Sequence, residues 1–312
     1  MADKVALIGE CMLELTRQAA DQAGGILPMN LSYGGDTLNS SVYLARQGVA
    51  VDYVTALGDD PMSAWMVAQW REQGVGCDFI DYQPNAVPGM YLVETDRSGE
   101  RSFYYWRDNA PARRLFDDPA RTDRLFAQLA DHACIGLSGI SLAIQSESSR
   151  QRLFAKLAEY RNAGGKVVFD SNYRPKLWPS ELVTRQCYEA MYRLTDIALP
   201  TFEDEQQVFG DVDHDSVIER LRSWGVGEIA LKLGPQGCLA VTGDTRELVA
   251  ANKVNVVDTT SAGDSFNAGY LAARLRDQCA SDAAKAGHRL ASVVIQHRGA
   301  IIPVEHMPPL SA

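Results

Sequence analysis

An α/β fold is predicted, with a mostly parallel central sheet, helices on both faces and a small inserted β lid. Three observations carry this expectation. Strand-sized apolar runs alternate with helix-sized stretches through most of the chain, a pattern that implies βα units and a parallel sheet. The alternation breaks between Gly89 and Arg107, where two strand-like runs follow one another as in a hairpin. Late in the chain an apolar run, Val254 to Val257, leads through Asp258-Thr259-Thr260-Ser261-Ala262-Gly263-Asp264 into a small-residue helical pattern, Phe266 to Leu275. That order reads as strand, tight turn, helix.

The first strand is the run from Lys4 to Gly9, ending at Gly9-Glu10. After a glycine-rich turn at Gly24-Gly25 comes Tyr33-Gly34-Gly35-Asp36-Thr37-Leu38-Asn39, opening a helix that Gly48 stops after Gln47. Val51 to Ala56 is a strand. A helix from Met62 to Gln73 starts behind Asp60-Pro61 and ends at Gly74, since proline favours helix starts and glycine helix stops. Cys77 to Tyr82 closes the unit.

The hairpin then pairs Gly89-Met-Tyr-Leu-Val-Glu-Thr95 with Arg101-Ser-Phe-Tyr-Tyr-Trp-Arg107 across the turn-rich link 96–100. Its aromatic density suits a lid or a dimer surface, and an antiparallel edge of the main sheet is the plainer alternative. Alternation resumes with strand Cys134 to Ser138, helix Glu147 to Asn162 and strand Lys166 to Phe169, which ends in Asp170-Ser171-Asn172-Tyr173-Arg174. A helix at Leu182 to Arg193, strand Ile197 to Leu199, a helix at about Asp215 to Trp224 and strand Glu228 to Lys232 follow. Two antiparallel strands, Cys238 to Thr242 and Thr245 to Ala250, precede the Asp258 stretch, and a last helix covers Ala283 to Gln296. The expectation is one domain, 1–312, whose lid is formed by about 10–35 and about 88–108.

Bulk properties narrow the function classes. The chain is 46% hydrophobic and 22% charged, ordinary for a folded protein, with net charge −10. A diffuse acidic balance argues against nucleic acid or an anionic membrane as partner, so an anionic substrate has to be met by a few placed cations. The apolar runs are strand-sized, too short to span a bilayer, and the start lacks a secretory pattern. Six scattered cysteines without Cys-x-x-Cys fit reduced thiols in a cytoplasmic protein, and no Cys/His cluster suggests zinc.

The Asp258 stretch carries the chemistry. Ser261-Ala262-Gly263 has almost no side chain, so backbone N–H groups can converge at a helix start, where the dipole favours an anion. Asp264, in the first turn, repels phosphate but suits a base for a hydroxyl attacking it. On the local pattern alone, a mere helix-capping cluster explains these residues equally well.

Five stretches together resemble the ribokinase-like (PfkB) carbohydrate kinases: Gly34-Gly35 with Asn39, Asp170-Ser-Asn-Tyr-Arg174, Pro200-Thr201-Phe-Glu-Asp204, Lys232-Leu-Gly234-Pro-Gln-Gly237, and Asp258 to Asp264. The resemblance spans nearly the whole chain. Its most specific piece departs at one position, with Ser261 where the family has the first glycine of Asp-Thr-Thr-Gly-Ala-Gly-Asp. Gly9-Glu10, Phe103-Tyr104-Tyr105 and Asp170-x-Asn172-Tyr173-Arg174 are similar to the branch of the family that acts on 2-keto-3-deoxygluconate. A physical reason accompanies the last: a guanidinium at the carboxyl end of a parallel strand can grip a carboxylate that neutral sugars lack.

The resemblance implies transfer of the ATP γ-phosphoryl group to O6 of that sugar acid. Asp264 would serve as base, beside the N–H groups of Ala262 and Gly263. It implies substrate contacts at Gly34, Gly35, Asn39, Tyr91, Tyr104, Tyr105, Trp106 and Arg174. Nucleotide contacts fall at Thr201, Lys232, Gly234, Gln236, Gly237, Ser261, Ala262, Gly263 and Gly287, with His288 beside the last. Mg²⁺ would be organised through water by Asp204 or Glu205, since the family's Asn-x-x-Glu reads Thr201-x-x-Asp204 here. A monovalent cation near Asp258, or simple capping by that residue, and a homo-oligomer are further expectations. A fructokinase-like enzyme, or a non-catalytic sugar-acid or nucleotide sensor, are the alternatives. A Rossmann dehydrogenase and a P-loop enzyme are disfavoured because neither glycine signature is present.

Overall fold

The structure, a computed structural model, describes residues 4–17, 27–95 and 101–309. The turn at Gly24-Gly25 and the hairpin link 96–100 lie outside the described residues. The chain runs β1 (Val5–Ile8), β2 (Met12–Arg17), β3 (Met29–Gly34), α1 (Asp36–Arg46), β4 (Val51–Gly58), α2 (Pro61–Glu72) and β5 (Ile80–Gln83). It continues through β6 (Met90–Thr95), β7 (Arg101–Trp106), α3 (Pro119–Gln128), β8 (Cys134–Ser138), α4 (Gly139–Ala143), α5 (Glu147–Asn162) and β9 (Lys166–Asp170). Then come α6 (Glu181–Tyr192), β10 (Ile197–Ala198), α7 (Phe202–Phe209), α8 (His214–Ser223) and β11 (Glu228–Lys232). The last elements are β12 (Cys238–Thr242), β13 (Thr245–Val249), α9 (Ala262–Arg274) and α10 (Ala280–Val294).

Among the described residues, nine strands form the central sheet in the order β13-β12-β11-β10-β9-β8-β1-β4-β5. Every pair is parallel except β11–β12 and β12–β13. Successive strand residues face opposite sides, so Val5 and Leu7 of β1 join one apolar core and Ala6 and Ile8 the other. The first core is closed by α1, α2, α9 and α10, through Leu38, Trp70, Leu271 and Leu290 among others. The second is closed by α3 to α8, through Phe126, Leu142, Leu157, Tyr188, Val208 and Leu221.

The strand order fixes where a ligand goes. From β1 the chain winds outward to β4 and β5, then returns to β8 on the other side of β1 and winds the opposite way. The crevice at such a reversal, outside the carboxyl ends of the strands, is where open α/β sheets bind ligands. Those ends here are Gly9-Glu10, Ser138, Asp170, Thr201 and Lys232. A second sheet, in the order β3-β2-β6-β7, stands apart from the first and holds the hairpin, so β6 and β7 do not form an edge of the main sheet.

Some expectations fail. No strand covers Val254 to Val257: Val256 and Val257 are more than half exposed, and the N–H groups of Val257 and Asp258 donate to Ile295 O beyond α10. β13 closes that edge of the sheet, so the run has no strand to pair with. Three helices, α3, α4 and α7, and strands β2 and β3 of the second sheet were not foreseen individually. Among the described residues no helix is long and apolar enough to cross a membrane, and all six cysteines are free thiols.

Candidate active site

Residues far apart in sequence meet over the crevice. Asp264 stands in the first turn of α9, and its Oδ2 accepts a hydrogen bond from Asn39 Nδ2 of α1 at 2.9 Å. Ser40 Oγ donates to the Asp264 carbonyl at 3.1 Å, fastening the two helices at the same level. Burial first, then the neighbouring Asp36 and Asp170 carboxylates, push Asp264 up to about 7, against the bonds from Asn39 and Ser261.

Asp36 opens α1, where its Oδ2 accepts from Asn172 Nδ2 at 2.7 Å, and burial raises its pKa as well. A hollow of about 20 Å³ is lined by Asp36, Ser40, Asp170 and Asn267 among others. Asp170, at the end of β9, accepts from Lys232 Nζ at 2.8 Å and from Asn267 Nδ2 at 2.9 Å, while Lys232 also donates to Asn267 Oδ1 at 3.2 Å. This ring holds the Lys232 ammonium over the start of α9: a Cβ added to Gly263 would lie 3.7 Å from Nζ.

The anion nest is narrower than expected. Ser261 takes a left-handed conformation, φ 62°, as residue before the helix. The resulting turn sends the Ala262 N–H to Thr259 O at 3.2 Å, so that donor is already used. Gly263 and Asp264 follow in the first turn, where backbone N–H groups lack intrahelical acceptors. Asp258 shapes the preceding loop, its Oδ1 accepting from the N–H and hydroxyl of Thr260 and its Oδ2 from Gly299 N.

Of the residues expected to contact nucleotide, Thr201 precedes α7 and its N–H donates to Ser171 Oγ at 3.0 Å. Gly234 to Gln236 form an exposed turn closed by Gly237, whose φ of 120° and 2.1 Å approach of a Cβ to Val249 O leave room for glycine only. Gly287 has a packing reason instead of an open face, because Phe266 fills the space beside it and Gly269 crosses it closely. His288 bonds Val249 O at 3.1 Å and lies against the Phe266 ring.

The two candidate metal carboxylates separate cleanly. Glu205 is fully buried behind α7, bonded to the Tyr192 hydroxyl and paired with Arg220 at 2.8 Å, so it is a structural anion and not a cleft residue. Asp204 faces the strand ends, where Oδ2 accepts from Ser171 Oγ at 2.9 Å and Tyr173 N at 3.1 Å. No group of three or more His, Cys, Asp or Glu among the described residues could hold a metal by itself.

In the second sheet, strand alternation divides the aromatics of the hairpin. Tyr91 pairs with Tyr105 on one face, and the charges of Arg107 and Arg174 reach Tyr105. Tyr104 and Trp106 stand on the opposite face, about half exposed, so they are not on the side that faces Arg174. Arg174 itself is exposed, its Nη1 donating to Tyr173 O at 2.8 Å. The two glycines serve the protein's own packing: a Cβ on Gly34 would meet the Tyr91 hydroxyl at 2.3 Å, and one on Gly35 would meet Glu10 O at 2.2 Å.

Sequence reasoning gave no site role to Asp36, Asn267 or Arg107, and quoted Asp170 and Glu10, which pairs with Arg107 beneath Tyr105, only as motif residues. Asp170 closes a strand and Asn267 falls three residues after Asp264, on one helix face; those spacings were the available signals.

The pattern described as pfkB family carbohydrate kinase matches residues 2–307. A protein of Dickeya dadantii (strain 3937) named 2-dehydro-3-deoxygluconokinase is 49% identical over 97% of this chain and 98% of its own length. One of the same name from Escherichia coli (strain K12) is 46% identical over 99% and 100%. The crystal structure of a 2-dehydro-3-deoxygluconokinase from Thermotoga maritima superposes with a TM-score of 0.85 at 19% identity, covering 97% of this chain and 98% of that one.

Proposed function

The chain belongs to the pfkB family of carbohydrate kinases, and from that premise we propose that it is an ATP-dependent kinase of 2-keto-3-deoxygluconate. The sugar acid is phosphorylated at O6, giving 2-keto-3-deoxy-6-phosphogluconate. One observation in the molecule supports this reading best: a base-strength carboxylate, Asp264, oriented by Asn39 at the start of a helix whose N–H groups and neighbouring Lys232 suit phosphate. The full-length relatives named for this reaction point the same way.

Asp264 takes the proton from the 6-hydroxyl as O6 bonds to the γ phosphorus. The bond from that phosphorus to the β–γ bridging oxygen breaks, and ADP leaves. Gly263 and Asp264 N–H, the α9 dipole and Lys232 stabilise the charge on the transferring group. Arg174 grips the substrate carboxylate, Tyr91 and Tyr105 border the sugar from the lid, and Thr201 with the Gly234 to Gly237 turn borders the nucleotide. The hard carboxylate oxygens of Asp204 and Asp170 would hold Mg²⁺ through water, and the ion would supply positive charge to neutralise the phosphates. The exposed lid face with Tyr104 and Trp106 is the surface for self-association, which a solution mass equal to one chain would refute.

Coupled ADP release with Mg·ATP tests the substrate. The panel is 2-keto-3-deoxygluconate, its galactonate epimer, fructose, ribose and gluconate, with wild type and Arg174→Ala side by side. The keto acids are expected to win, and Arg174→Ala is expected to raise KM for them far more than for ATP. Preference for a neutral sugar would make the chain a fructokinase-like enzyme instead.

A further inference from the structure

Glu14 sits in the middle of β2, on the lid face that carries Tyr91 and Tyr105: the register sets Glu14 beside Tyr91 and Tyr91 beside Tyr105. Its carboxylate accepts two hydroxyl protons. The Tyr91 phenol donates to Oε2, and Ser32 of β3 donates to Oε1 at 3.0 Å. A phenol has one proton to give and lone pairs with which to accept. Burial and the Glu14 charge both keep this phenol protonated, far above its ordinary range. The proton therefore has a fixed place, on the Glu14 side. The phenol oxygen meanwhile rests against Gly34, in the space a side chain there would fill. Toward a ligand, Tyr91 is left with acceptance only.

We propose that Glu14 is a positioning residue that sets substrate specificity: by holding the Tyr91 proton it makes this phenol an acceptor, which receives a substrate hydroxyl and refuses a keto or carboxylate oxygen. The proposal rests on the reading of the chain as a sugar-acid kinase and adds an orientation rule to it. The oxidised end of a keto acid presents acceptors to its surroundings, and two acceptors facing each other in a buried contact are unfavourable. That end is turned away from Tyr91 and left to Arg174, whose charge reaches Tyr105 on the next strand. The hydroxyl-bearing end is what Tyr91 can hold.

Four proteins test this by steady-state kinetics: wild type, Tyr91→Phe, Glu14→Gln and the double variant, each with Mg·ATP and 2-keto-3-deoxygluconate. In Glu14→Gln the amide can offer an N–H to the phenol and release the phenol proton toward the substrate. KM for the keto acid is expected to rise about tenfold, with KM for ATP held within about twofold. Tyr91→Phe is expected to raise the same KM by a similar factor. The double variant should be no worse than Tyr91→Phe, because Glu14 acts through Tyr91. Additive losses would overturn the proposal. So would a lower melting temperature with both KM values unchanged, the signature of a residue that only pins lid strands together. Wild-type turnover reports separately on the substrate: if another sugar is preferred, the keto-acid reading falls and the same four proteins are compared on that sugar.

Discussion

Asp264, the proposed base, is placed where ionisation is hard. Burial and two like charges lift it to about 7, close to where a general base balances ionised fraction against proton affinity. Asp264→Asn keeps the shape and the Asn39 contact but cannot take a proton, so kcat is expected to drop roughly 10²- to 10⁴-fold with little change in KM. A variant within threefold of wild type would remove the assignment. The same residue links activity and stability. Its folded pKa lies above the unfolded value, so the folded state holds more protons between about pH 4 and about pH 7 and loses stability as pH rises through that window. Asp264→Asn should therefore melt higher than wild type at pH 8, the gap narrowing toward pH 5. For activity the sign is opposite: kcat/KM rises through about pH 7 as the base ionises. Asp170 is one of the charges that raise it, so Asp170→Asn should move that limb to lower pH. A limb that stays in place would mean the Asp170 charge does not reach the base.

At the scale of elements, the site depends on what stands behind it. α7 presents Thr201 and Asp204 to the crevice, while its buried side is pinned by Glu205 to Tyr192 and Arg220, and Arg220 lies 3.9 Å over the Phe209 ring. Arg220→Ala leaves Glu205 buried without its cation. That loss typically costs about 3–5 kcal/mol, and protonation of Glu205, already raised to about 7, relieves part of it at low pH. Melting temperature should fall more at pH 8 than at pH 6, with KM for ATP rising only if α7 shifts; an equal fall at both would show that Glu205 is not the residue left stranded. The elements differ in how far the sequence reveals them. Strands such as β8 and β11, buried along their whole length, are legible because an apolar run between breakers has few other fates. Val254 to Val257 is also mostly apolar and forms no strand, because pairing depends on a neighbour that sequence does not display. α7 hid inside Phe-Glu-Asp-Glu-Gln-Gln, where polar residues obscure a short helix. Within the site, Asp264 and the small-residue turn were legible as one contiguous stretch. The Asp36, Asp170 and Lys232 grouping was not, since α1, β9 and β11 bring it together only in the fold.

At the scale of the whole molecule, charge poses a problem that the site has to solve. The chain carries a net charge of −10, and both proposed substrates are anions. Among the described residues the crevice does not offset this: Glu10, Asp36, Asp170, Asp204 and Asp264 stand near Arg107, Arg174 and Lys232. Arg107 and Lys232 are moreover tied to Glu10 and Asp170. A free ATP anion therefore meets repulsion at long range and at the mouth, and its complex with Mg²⁺ is the species such a site can admit. For the keto acid, which brings no cation, repulsion should be visible in the kinetics. Raising ionic strength from about 0.01 M to about 0.1 M shortens the screening length from about 30 Å to about 10 Å. The kcat/KM for the keto acid at saturating Mg·ATP should rise over that range, since distant carboxylates are screened while the proposed short contact with Arg174 is affected least. The rise should be steeper at pH 8 than at pH 6, because Asp264 adds a charge between them. A steady fall with salt at both pH values would mean that the field of Arg174 dominates approach, and that the acidic surface has no part in how this substrate is met.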